Sequence, residues 1–135
     1  MLPPLTGGCL CRALRYTATA PPTVVGFCCC ADCRRASGSG FVPFMGFAAV
    51  DLTITGPARQ FASPSARGSD AVRNFCPICG ALVFGGTPGV DVRHTVYAGT
   101  LDDPAKFVPT IAIFVRDKPD WVVLPPGLTR FTAMP

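Results

Sequence analysis

The chain has 135 residues, 49% of them hydrophobic and 15% charged, which fits a single compact domain over 1–135 and excludes a disordered chain. The formal charge is +4 and no Lys/Arg run exceeds two residues, so a small anionic ligand is favoured and no nucleic-acid partner is expected. All eight acidic residues are aspartate and the only histidine is His94, which excludes a glutamate acid/base and a histidine-rich zinc site and leaves thiolate as the main donor for any metal.

The N-terminal stretch "MLPPLTGGCLCR" carries neither a basic region nor an apolar run, and two prolines come early, so it does not read as a signal peptide. "LCRALRYTA" (10–18) then alternates as a strand does. "FCCCADC" (27–33) follows with four cysteines in seven positions, and "DCRRAS" (32–37) predicts a helical turn or two, starting at Asp32 as N-cap and ending before Gly38. The stretch "ASGSGFVPFMGFAAV" is too short to span a bilayer and contains a proline, so no membrane partner is expected and a cytoplasmic location with reduced thiols is. "FCPICG" (75–80) has the form of a tight knuckle. "DVRHTVYAG" places Val90, Val92, His94 and Val96 on one face, with His94 half-buried. "DDPAKF" predicts a turn, "TIAIFVRD" and "WVVLP" predict strands, and Trp121 is expected in the core. The fold class that results is mostly β: short, mainly antiparallel sheets with one or two helical turns.

The eight cysteines fall into three groups, CxC at Cys9 and Cys11, CCCxxC from Cys28 to Cys33, and CxxC at Cys76 and Cys79. A disulfide framework conflicts with the compartment and with the strain of such close pairs. A redox CxxC needs a βαβ context that the hairpin pattern lacks. Metal binding fits better. In "FCPICG" the Pro77–Gly80 turn aims backbone amides at two sulfurs, and Cys9 and Cys11, at i and i+2 on an extended strand, point the same way and supply the other two. A closed four-cysteine site of this kind contributes about 10–16 kcal/mol, as much as a domain's whole net stability. Cys28 and Cys30 repeat the CxC spacing and Cys33 adds a third thiol. Cys29 faces the other way and reads as a small buried hydrophobe. Three thiolates without a fourth protein ligand leave an open coordination position, the mark of a working metal. Arg34 and Arg35 follow directly, either to meet substrate carboxylates or as solvated surface residues. Ser37 and Gly38, in "SGSG", either offer backbone amides to a substrate or form only a turn.

Taken together, "GGCLCRALRY", "CCCADCRRASGSGF", "RNFCPICGALVF", "YAGTLDDP" and "PTIAIFVRDKPDW" resemble the glutathione-dependent formaldehyde-activating enzyme family, which includes centromere protein V. The resemblance implies an Mss4-like (β-tent) domain, a structural zinc at Cys9, Cys11, Cys76 and Cys79, and a second zinc at Cys28, Cys30 and Cys33, where glutathione chemistry takes place. It implies a carbon–sulfur lyase that joins a glutathione-like thiol to an aldehyde as S-hydroxymethylglutathione synthase does. Two positions depart from the family pattern. Cys29 stands where a histidine is usual, and Ala112 stands at the histidine of a Pro-x-x-His-Ile pattern. The rival functions are a non-catalytic, zinc-stapled binding module for a protein or other partner, and a zinc or thiol buffer. A homo-oligomer is compatible with all three.

Overall fold

The computed structural model describes residues 3–135. Its short period-two segments form eleven strands and one short helix: β1 (Leu5–Gly8), β2 (Arg15–Ala18), β3 (Val24–Cys28), α1 (Ala31–Ser37), β4 (Val42–Ala48), β5 (Leu52–Thr55), β6 (Arg59–Pro64), β7 (Asp70–Phe75), β8 (Leu82–Gly85), β9 (Arg93–Tyr97), β10 (Ile111–Ile113) and β11 (Thr129–Arg130). They build a three-stranded sheet, β1-β2-β5, and an eight-stranded sheet, β11-β10-β3-β4-β9-β8-β7-β6. The pairing is antiparallel except at β10, which runs parallel to both β3 and β11, so the larger sheet is mixed.

The larger sheet has two different faces because alternate side chains leave a strand on opposite sides. On one face Met45, Phe47, Phe84 and Val96 pack against Leu14, Tyr16 and Leu52 of the smaller-sheet side, forming the main core. Truncating Phe47 there to alanine costs about 3–5 kcal/mol. Within the smaller sheet Gly7 leaves room for Tyr16, its register partner on β2, whose hydroxyl oxygen a Cβ at that position would meet. The other face carries Cys28, Phe44 and Ile113, with Phe114 beside them and the terminal Phe131 and Ala133 packed against the group. A third cluster, Phe27, Cys29, Ala112, Val122 and Leu124, fills the space behind β3 and β10.

Several sequence expectations are corrected. Trp121 is 73% exposed, not in the core. In "WVVLP" Val122 and Leu124 are buried while Trp121 and Val123 are exposed, so the alternation is real, but the segment pairs with no strand and contributes one wall only. Val90 and Val92 are exposed, because the Thr87–Asp91 turn, closed by Thr87 N–H donating to Asp91 Oδ2 at 2.6 Å, ends the period before β9 begins. His94 is fully buried, with Nδ1 3.0 Å from the Gly85 carbonyl oxygen and its ring edge-on to Phe84. The "DDPAKF" turn forms, capped by Ala105 N–H donating to Asp103 Oδ1. Among the described residues no helix is long and apolar enough to cross a membrane.

Candidate metal centres

Two groups of sulfurs converge. Cys9, Cys11, Cys76 and Cys79 have their Sγ atoms within 4.8 Å of one another, and so do Cys28, Cys30 and Cys33. All eight thiols are free.

In the first group Cys11 Sγ lies 3.6 Å from both Cys9 Sγ and Cys76 Sγ. Four sulfurs each about 2.3 Å from a zinc ion stand roughly 3.8 Å apart along the edges of a tetrahedron, so this spacing suits a shared ion and is far too long for a disulfide. The CxC pair reaches this place by a turn, not by the extended strand expected. β1 ends at Gly8, Arg12 takes a left-handed φ of 69°, and Cys9 N–H donates to the Leu14 carbonyl to close the loop. The CxxC knuckle is built alike, with Gly80 at φ 76° and Gly80 N–H donating to the Cys76 carbonyl. Each knuckle aims amides inward: Leu14 N–H donates to Cys9 Sγ at 3.3 Å and Ile78 N–H to Cys76 Sγ at 3.4 Å. The amides of Ala81 and Cys11 bring the Cys79 thiol down to about 6. Donors aimed at sulfur favour thiolate, the form a metal takes.

The second group sits where β3 runs into α1. Cys28 ends the strand, Cys30 caps the helix and Cys33 lies in its first turn. Cys33 Sγ is 3.4 Å from Cys28 Sγ, and Cys33 N–H donates to Cys30 Sγ at 3.2 Å. The N-cap is therefore Cys30, not Asp32, because a sulfur already held at the helix start takes the amide that an aspartate would take. Hydrogen bonds from Cys28 and Cys33, then the amides of Cys33 and Asp32, make Cys30 the thiol that ionises first. Hydrogen bonds to Cys30 and Cys33, then burial, push Cys28 up; the Cys28 hydrogen bond lowers Cys33, but its bond to Cys30 and burial outweigh it and raise it to about 11. The inner side of the trio is apolar, formed by Phe44, Ile113 and Phe114. Phe114 holds a left-handed φ of 54°, and its neighbourhood is tied down by the end of the chain: Phe114 N–H donates to the Ala133 carbonyl and Val115 N–H to the Phe131 carbonyl, both at 3.1 Å. No fourth sulfur or other metal-ligating side chain joins the trio among the described residues.

The family model for the glutathione-dependent formaldehyde-activating enzyme matches residues 4–117. The chain belongs to that family. Comparison with curated proteins gave no match. Among solved structures, a crystal structure of a Rhodobacter sphaeroides protein, a structural genomics target, is similar over 94% of this chain and 99% of that one, with a TM-score of 0.54 and 16% identity. At that identity the likeness speaks for the fold.

Both departures from the family pattern lie together. Cys29 and Ala112 are fully buried in the one cluster behind β3, with Phe27, Val122 and Leu124. Alternation along the strand turns Cys29 away from Cys28 and Cys30, and Ala112 is the register partner of Phe27. Cys29 and Ala112 therefore belong to an apolar packing unit on the reverse side of the strand from the trio.

Beside α1 a cleft of about 360 Å³ runs between the helix end, the CxxC knuckle and the end of β9, lined among others by Ser37, Ser39, Val42, Ala81, Tyr97 and Thr100. None of the three cysteines lines it; it adjoins them through Val42, the register partner of Cys28, and through Tyr97. Ser37 lines the cleft but its hydroxyl donates to the Cys33 carbonyl at 2.7 Å. Gly38 does not offer a free amide, since it adopts φ 72° and its N–H caps the Arg34 carbonyl. Arg34 is half-buried, Arg35 is exposed, and neither lines the cleft. One residue absent from the sequence expectations, Tyr97, stands near the trio as the register partner of Phe44, which packs with Cys28. Burial pushes the Tyr97 hydroxyl up to about 12, with the three thiols adding to the rise. The register of β4 and β9, which pairs Tyr97 with Phe44, puts it there, and the distance in sequence hid it.

Proposed function

We propose that this chain is a zinc-dependent carbon–sulfur lyase of the glutathione-dependent formaldehyde-activating type, joining a glutathione-like thiol to an aldehyde. The observation that carries the reading is the three-sulfur group at the β3–α1 junction, lacking a fourth ligand among the described residues and adjoining a cleft of about 360 Å³. In this reading Cys9, Cys11, Cys76 and Cys79 hold a structural zinc, and Cys28, Cys30 and Cys33 hold a second. A zinc ion on three thiolates lowers the pKa of a thiol that takes the remaining coordination position.

The chain's own residues do the rest. Phe44, Ile113 and Phe114 keep water from the inner side of the sulfurs. The cleft receives the body of the thiol substrate, with Ser39 as a polar contact. The substrate thiol releases its proton to solvent, its sulfur forms a bond to the aldehyde carbon, the carbonyl π pair moves to oxygen, and that oxygen takes a proton back from solvent to become the hydroxyl of the adduct. Tyr97 stays protonated through neutral pH and so can supply an O–H donor from the cleft wall. No glutamate or second histidine is needed, which matches a chain that has neither.

The test is a zinc count followed by a rate. Two zinc ions per chain, and formation of S-hydroxymethylglutathione from glutathione and carbon-13 formaldehyde faster than the spontaneous rate by NMR, are expected. One zinc and no acceleration would point to a stapled binding module instead.

A further inference from the structure

The cleft beside α1 meets the sulfur trio from two directions. Cys33, Ala36 and Ser37 stand three and four positions apart and so share one face of α1, and Ala36 and Ser37 line the cleft. Cys28 and Val42 are register partners, so their side chains stand together on one face of the sheet, about 5 Å apart, and Val42 lines the cleft as well. A thiol whose sulfur reaches the trio from this side has its body in that space.

Among the described residues no aspartate, lysine or arginine lines the cleft, and Phe41, Val42, Pro43 and Leu82 give it apolar walls. Its backbone and two of its hydroxyls are already engaged. Gly80 N–H donates to the Cys76 carbonyl and Ser39 N–H to Ser37 Oγ. The Ser37 hydroxyl donates to the Cys33 carbonyl, and the Thr100 hydroxyl donates to the Tyr97 carbonyl and meets the Tyr16 hydroxyl at 2.9 Å. The groups left to a ligand are the neutral hydroxyls of Ser39 and Tyr97. A carboxylate or ammonium placed here would exchange water for apolar walls and meet no counter-charge, which disfavours it against a neutral group of the same size.

We propose that the thiol this cleft selects carries no charge on its body, so that the trio prefers neutral over ionised thiols. This rests on the reading that the trio takes a thiol, and it narrows the substrate class: glutathione binds there only with its carboxylates and ammonium left in solvent beyond the cleft. Binding is read on cobalt-substituted protein, whose thiolate-to-metal absorption bands shift when a further thiol ligates. The probes are N-acetylcysteine and its methyl ester, which share one frame and differ by a carboxylate. Wild-type protein should bind the ester roughly ten-fold or more tightly than the acid at pH 7. The two thiols differ in acidity, so the deciding quantity is how that ratio moves between proteins. Ala36 is exposed on the cleft side of α1, and Ala36→Lys, which puts a cation beside the ligand, should lower the ester-to-acid ratio roughly five-fold or more; Ala36→Gln, of similar bulk and no charge, should not lower it. Wild-type protein that prefers the acid, or a ratio that Ala36→Lys leaves unmoved, overturns the assignment while leaving thiol ligation intact. Wild-type bands that move with neither probe and not with 2-mercaptoethanol would remove the proposed function and this inference with it.

Discussion

The two sulfur clusters use the same donor atom at nearly the same spacing and differ in how much chain they close. The four-sulfur group joins Cys11 to Cys76 across 65 residues, tying the loop after β1 to the knuckle after β7. The trio spans only Cys28 to Cys33 at one strand–helix junction. Closing a long loop holds tertiary structure that the unfolded chain lacks; closing a short one fixes little beyond a local turn. The first cluster is also set against the main core, with Cys9 and Cys76 inside it. The second stands on the outer face with a cleft beside it. Identical donors thus suit stability in one place and access in the other.

The largest effect expected is at the closed cluster. Cys76→Ser should abolish cooperative thermal unfolding followed by circular dichroism, since a zinc ion held there, as proposed, would contribute about 10–16 kcal/mol, as much as the whole domain's stability. A Cys76→Ser protein that melts like wild type would erase the contrast. Next comes Cys33→Ser, which should keep the fold, lower the zinc count from two to one by atomic emission, and remove adduct formation. Third, Tyr97→Phe should leave both metals and slow adduct formation about 3- to 10-fold, the worth of one hydrogen bond. Fourth, Cys29→Ala should leave the zinc count unchanged and cost only about 1 kcal/mol in urea unfolding, because it removes one small buried atom. Loss of a zinc in that variant would move Cys29 into the trio. Smallest is Asp102, whose carboxyl is drawn down to about 2 by Arg15, with Thr6 adding to it, near the closed cluster. Its contribution is fully present above an unfolded pKa of about 4 and is lost as pH falls toward 2. Both partners are a third to a half exposed, so Asp102→Asn should cost below about 1 kcal/mol at pH 7 and nothing at about pH 2.

Much of this is legible from residue spacing. CxC, CCCxxC and CxxC each report local geometry, and mostly-β architecture follows from alternation over segments such as 15–18 and 93–97. What escapes is what depends on pairing between distant strands. Tyr97 reads as one more strand aromatic until β4 and β9 are in register. Trp121 falls in the wrong place because alternation in 121–124 gives the phase of burial only by its neighbours, and the larger side chain takes the outer phase. The helix cap differs because a cysteine held by other constraints displaces the residue type that propensity favours. The turn at Cys9–Leu14 needs a left-handed Arg12, which no residue preference announces.

The strained Phe114, and the hydrogen bonds that tie its neighbourhood to Phe131 and Ala133, have a practical bearing. The family match ends at residue 117, yet the apolar backing of the trio is completed by residues 131–133. A fragment cut to the matched region would retain all eight cysteines and lose the wedge that keeps Phe114 in its costly conformation, worth about 1–3 kcal/mol. Such a fragment would keep the four-sulfur group and open the backing of the trio, and an inactive preparation would then report on where the gene was trimmed and not on the chemistry of the protein.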